Sequence, residues 1–236
     1  MSGIWPDGVA PADVDLDRVW TGVAAQVWRR HPRLPERLLA RLLRSPGLAR
    51  ALLTTPSLLI PWLIASTVVF AAGALATIGT GTPWVALLAP AIAGAGIAYA
   101  YGPGVDPAYE LSMSMAVSDR MVLLARVLAI FVIDAALGLA ASAFSATVAG
   151  VAFGWLIPMT AVSGLALAVA VVTRSPNVGV AAGTGAWAMT VLSGQAAFGQ
   201  LATALNDHWL YLPYLVVAAG SAAFVLIRTA QPRRSA

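Results

Sequence analysis

The chain has no cysteine and no lysine, and its two histidines, His31 and His208, lie far apart. Without cysteine there is no disulfide, no thiolate nucleophile and no sulfur-ligated metal. Two isolated histidines build neither a metal cluster nor a Ser-His pair. Without lysine, the G-x-x-x-x-G-K-[ST] loop that cradles nucleotide phosphates is excluded. Charge is scarce too: 10% of residues are charged, 59% are hydrophobic, and mean hydropathy is +0.81. That leaves too little polar surface to cover a domain in water, so the sequence reads as an integral membrane protein. The net charge of +4 is carried entirely by arginine. Because those arginines flank apolar segments, membrane orientation explains them better than nucleic-acid binding does.

Residues 1–57 differ from the rest and hold eight of the fourteen arginines and five of the ten acids. Met1 is followed by Gly3, Pro6, Asp7 and Pro11, without the basic and apolar regions of a signal peptide, so this segment is expected to stay on the cytoplasmic side. Residues 11–30 predict an amphipathic helix. Asp13, Asp15 and Asp17 suit its positive start, Arg29 and Arg30 its end, and Leu16, Val19, Trp20, Val23 and Val27 share one face. A second helix begins at Pro35. Arg37, Arg41 and Arg44 form its polar stripe opposite Leu38, Leu39, Leu42 and Leu43, the pattern of a helix lying in the membrane interface. Pro46 kinks or ends it.

Six apolar segments come next, at about 58–78, 84–101, 121–146, 149–172, 178–199 and 209–227, each near the ~20 residues that span a bilayer. The expected fold is an all-α polytopic membrane protein with six transmembrane helices, preceded by amphipathic interfacial helices. Arg120, Arg126, Arg174, Arg228, Arg233 and Arg234 all fall on the side of the N-terminal block, so both termini are expected in the cytoplasm. The domains are then an N-terminal arm over 1–57, a transmembrane domain over 58–228 with a cytoplasmic connector at 102–120, and a tail over 229–236. No internal repeat of 20–50 residues and no inverted repeat is visible. Gly150/Gly154 and Gly179/Gly183 are G-x-x-x-G pairs that let helices approach closely, within one subunit or at a dimer seam.

The connector GPGVDPAYELSMSMAVSDRMVLLAR, residues 102–126, is the only long charged interruption in this apolar body. Gly102, Pro103, Gly104 and Pro107 end the second span, and Asp106 caps a short helix from Pro107 to about Val117. That helix puts Tyr109, Met113 and Ala116 on one face with Glu110 and Ser114 beside them. Ser118 and Asp119 then cap the third span, and Arg120 and Arg126 are expected to snorkel to the headgroups.

D-P-x-Y-E-L followed by S-D-R-x-x-L-L-A-R, between the second and third of six spans, resembles the coupling region of ABC-2 type transporter permeases. The arginine-rich helix before the first span is similar to that family's connecting helix. The chain has Ala116 and Val117 where the family often has a proline. The resemblance runs from about Arg33 onward and implies the permease subunit of an ATP-driven exporter in the plasma membrane of a bacterium. It implies two six-helix subunits, as a homodimer, each docking a separate cytoplasmic ATPase that binds the ATP and Mg. Asp106, Tyr109, Glu110, Met113, Asp119 and Arg120 would make the ATPase contact, with Arg37, Arg41 and Arg44 on the connecting helix. The chain itself would bind no cofactor and catalyse no reaction. The resemblance also implies a re-entrant segment between the fifth and sixth spans, for which 198–213, with Asn206, Asp207 and His208, is the candidate.

Asp134 is the one acid within a span, about 12 Å beyond Arg126 along the helix. At mid-bilayer it costs roughly 2.5–3.5 kcal/mol, which the surrounding leucine, isoleucine, valine and phenylalanine residues outweigh. It is either a residue of the translocation path or an acid hydrogen-bonded to a neighbouring helix. Trp187, Gln195 and Gln200, with Thr190 and Ser193, make the fifth span the most polar and the other candidate lining of the path. Trp62, Trp84, Trp155 and Trp209 read as packing or interface aromatics. Two other classes compete: a secondary transporter or membrane scaffold, and an intramembrane enzyme. The last would want G-x-S-x in a helix, and Ala161-Val162-Ser163-Gly164 lacks the leading glycine.

Overall fold

The computed structural model describes residues 15, 17–22, 34, 37, 40–41, 56–101, 119–145, 153–199, 201, 205 and 208–230. The chain divides into two compact units, Met1–Ala49 and Arg50–Ala236. In the first, residues 17–22 are helical. The Arg18 N–H donates to Asp15 Oδ1 at 3.1 Å and the Val19 N–H to the Asp15 carbonyl at 3.0 Å. Asp15 is thus the helix cap, which starts this helix later than the Pro11 read from the sequence. Arg37 and Arg41 are helical and exposed.

In the second unit, all regular structure among the described residues is helical. Helix α1 spans Pro56–Thr80, α2 Trp84–Tyr99, α3 Asp119–Phe144, α4 Leu156–Thr173, α5 Pro176–Phe198 and α6 His208–Ala230. These bounds match the six apolar segments with two differences. Helix α4 starts at Leu156 instead of about 149: Phe153 and Gly154 are helical, Trp155 is a turn, and Pro158 stands in the first turn, where a missing N–H costs nothing. Helix α6 begins at His208 and contains Pro213, so residues 208–213 of the candidate re-entrant stretch belong to this helix.

Four of the helices, at Pro61–Thr80, Met121–Phe144, Leu156–Thr173 and Trp209–Thr229, are long and apolar enough to cross a membrane. Helix α2 is apolar but only 16 residues long, about 24 Å. Helix α5 has 23 residues, diluted by glycine, threonine, serine, asparagine and glutamine.

The shortest helix is the centre. Helix α2 packs on α1, α3, α4 and α5, while α4 packs also on α5 and α6. Alanine and glycine at Ala86, Ala89, Ala93, Gly94, Gly96 and Ala98, all buried, allow that many neighbours. The surface is inverted relative to a water-soluble bundle. Leu63, Ile64, Val68 and Leu75 on α1, Leu128 and Val132 on α3, and Leu212, Leu215 and Val216 on α6 are all exposed. Contiguous apolar surface of this kind is compatible with helices whose solvent is lipid.

Close approaches fix the bundle. A Cβ added at Gly179 would lie 2.5 Å from the Ala166 carbonyl oxygen, and one at Gly183 2.8 Å from Ala166 Cβ. This G-x-x-x-G pair therefore serves α4–α5 packing within the chain. Between α4 and α5 the chain reverses through Arg174, whose φ of +54° is left-handed, before Pro176 starts the next helix.

Candidate functional site

Helix α3 buries one narrow stripe at every fourth residue: Val122, Arg126, Ile130, Asp134, Gly138 and Ser142. Helix α1 buries Ser66, Phe70, Gly73, Ala74 and Thr77, the spacing of a single helix face. Where these two faces meet, Asp134 is completely buried. The Trp62 indole N–H donates to Asp134 Oδ2 at 3.3 Å. Ser66, one turn along α1 from Trp62 and also buried, turns its hydroxyl toward the carboxylate without reaching hydrogen-bond geometry. Asp134 Oδ1 is left without a hydrogen bond.

A glycine on α2 makes this pairing possible. A Cβ at Gly96 would lie 2.5 Å from Cε2 and Cζ2 of Trp62 and 2.9 Å from Ile130 Cγ2. The missing side chain is a notch in α2 that receives the indole edge and aims its N–H at α3. One turn further along α3, Gly138 does the same for another tryptophan: its Cβ would stand 2.7 Å from Cη2 of Trp155. Asp134 thus sits between two apolar clusters. One contains Phe70, Trp155 and Trp187, and the other contains Ile97, Ile130 and Leu167. Asp134 is fully buried between two apolar layers and Trp62 half-buried, so breaking the bond leaves the carboxylate without its protein partner.

The remaining residues singled out in the sequence are distributed as described next to their helices. Trp187 is buried in α5 and donates its indole N–H to the Leu87 carbonyl of α2 at 2.7 Å. It and Asp134 have separate partners. Gln195 is exposed on α5. Thr190 and Ser193 donate their hydroxyls to the carbonyls of Ala186 and Thr190 in their own helix, each at 2.9 Å. Asp119 and Arg120 open α3. Arg126 is buried on the α3 stripe. Asp106, Tyr109, Glu110, Met113, Arg44 and Gln200 lie outside the described residues. In the candidate re-entrant stretch, Leu205 is helical and fully buried, and the Tyr211 hydroxyl donates to its carbonyl at 3.4 Å.

Sequence reasoning missed Trp62, Ser66 and Gly96. The hydroxyl of Ser66 four residues after Trp62 within an apolar run is a signal of a polar face. The pairing of Trp62 with Asp134 across 72 residues of chain is not. Of the four tryptophans read as packing or interface groups, Trp155 is wholly buried and Trp209 is 88% exposed. Trp84 donates to Thr80 Oγ1 at 3.0 Å, closing the α1–α2 turn. Among the described residues no group of three or more metal-ligating side chains occurs. The chain matches no family model, no curated protein and no solved structure.

Proposed function

We propose that the chain is the membrane-spanning subunit of an ABC-2 type exporter in a plasma membrane, with six spans and both termini in the cytoplasm. One observation carries this reading. D-P-x-Y-E-L falls in the connector between α2, which ends at Tyr99, and α3, which begins at Asp119, and S-D-R straddles the junction with α3, within a set of six helices. That is where a permease of this type presents its coupling helix. The arginines at 120, 126, 174 and 228 lie toward the same side of this topology as the N-terminal block, which supports a cytoplasmic connector.

In this reading the chain supplies the path and a partner polypeptide supplies ATP hydrolysis, with ATP and Mg bound there. Two copies pair. The exposed face of α5 with Gln195, Ser193 and Gly185 is the surface a bilayer would least favour, and a second copy would cover it. Closure of the ATPases pushes the connectors, and the rigid helices rock in response. Asp134 is sealed in the closed bundle; rocking α1 away from α3 breaks the Trp62 hydrogen bond and bares the carboxylate. Asp134→Asn is accordingly expected to insert normally and to alter transport, measured as ATP-dependent uptake into inside-out vesicles. Transport equal to wild type would remove Asp134 from the mechanism. The class itself is tested by gentle extraction: an ABC ATPase should co-purify with the wild-type chain and be lost on Glu110→Arg. No associated ATPase under any mild detergent or nanodisc extraction would overturn it.

A further inference from the structure

Helix α3 packs on α1 and α2, whereas α6 packs on α4, so α3 and α6 are not principal neighbours of one another. The angle between them is a cavity of about 500 Å³, walled almost entirely by carbon. Leu128 and Phe131 come from α3, Ser163 and Gly164 from α4, and Ala222 and Leu226 from α6. Leu128 is 62% exposed and Leu226 38%, so the cavity opens sideways on the outer apolar surface of the bundle. Helix α4 closes its back with Ser163 and Gly164, and Ala222 of α6 stands at its exposed rim. Ser163 stands in that back wall. It is buried, and its hydroxyl has no hydrogen-bond partner in the protein. Serine in a helix commonly donates to a carbonyl of the preceding turn, as Thr160 does to Ile157 at 2.7 Å.

Empty apolar space forfeits dispersion contacts on one side, and a cavity of ~150 Å³ lined by carbon holds one six-carbon ring. By that measure this one holds about twenty carbon atoms, one long acyl chain. We propose that the cavity between α3, α4 and α6 binds a single-chain amphiphile that enters laterally from the bilayer, with an oxygen on the chain meeting the Ser163 hydroxyl. The site requires only that these helices lie in a membrane. It stands or falls independently of any ATPase.

The test uses the full chain in phosphatidylcholine nanodiscs with stearic acid bearing a mid-chain diazirine, photolysed and mapped by peptide mass spectrometry. Labelling of the cavity walls should exceed labelling of the exposed Val68 face of α1 by about fivefold, equivalent to ~1 kcal/mol. Ala222→Phe, at an exposed rim position that leaves the fold intact, should bring it down to that background. A mid-chain hydroxystearate should compete about two- to tenfold better than stearate, the worth of one hydrogen bond, and Ser163→Ala should erase the difference. Labelling at background, or unchanged by Ala222→Phe, overturns the site. Equal competition by the two fatty acids in the wild-type chain overturns the assignment of Ser163.

Discussion

Replacing Gly96 by alanine probes the Asp134 site without touching either partner of its hydrogen bond. The new Cβ would stand 2.5 Å from two indole carbons of Trp62 and 2.9 Å from Ile130 Cγ2. No real Cβ tolerates this, so the ring must leave the notch. Overpacking a close-fitted interior costs ~1–3 kcal/mol. Losing the 3.3 Å bond to Asp134 adds the cost of an interhelical hydrogen bond in a membrane, about 0.6 kcal/mol and at most ~1.7. Alanine returns about 1 kcal/mol through its helix preference. The net expectation is a loss of about 1–4 kcal/mol. The control is Gly220→Ala, where nothing lies within 4 Å of the added Cβ, which should be neutral or stabilising. Reversible unfolding in mixed dodecylmaltoside and dodecyl sulfate micelles, followed by circular dichroism, measures both. A Trp62→Phe background shrinks the ring, so the cost of Gly96→Ala should fall there, with a coupling of roughly 0.5–3 kcal/mol. Equal stability of Gly96→Ala and Gly220→Ala, or zero coupling to position 62, would refute the notch.

Trp187→Phe keeps the ring in its buried slot and removes the N–H that donates to the Leu87 carbonyl at 2.7 Å. Losing that bond should cost ~0.5–1.5 kcal/mol in the same unfolding assay. Gly179→Ala meets a backbone oxygen, Ala166 O at 2.5 Å, which cannot rotate away. It should therefore destabilise more than Gly183→Ala, whose nearest neighbour is the Ala166 methyl at 2.8 Å, and similar costs for the two would contradict the close α4–α5 contact.

The helices were legible in the sequence because apolar run length and arginine-flanked connectors are one-dimensional signals. The start of α4 was not, since residues 149–155 carry no charge and extend the apolar run into 156–173, and only Pro158 marks the first turn. Asp134 stood out as a lone acid in an apolar run, and its alternatives, path residue or hydrogen-bonded acid, were both visible. Its partner was not: Trp62 looks like any interfacial tryptophan until α1, α2 and α3 are brought together. Gly96 is similarly mute, being one of several small residues in α2 until an indole is found lying against it. The burial of Arg126 was legible only from its register, four residues before Ile130 and eight before Asp134, which places it on the buried stripe. The ATPase-coupling residues rest on motif alone, for 102–118 lies outside the described residues.

The central claim is that this connector faces the cytoplasm. The absence of cysteine makes the chain a ready background for single-cysteine accessibility. Ala108→Cys and Ser235→Cys should resist a membrane-impermeant maleimide in intact cells and react after permeabilisation, whereas Thr82→Cys and Asn206→Cys should react in intact cells. Labelling of Ala108→Cys from outside would contradict the topology and, with it, docking of a cytoplasmic ATPase through residues 102–120.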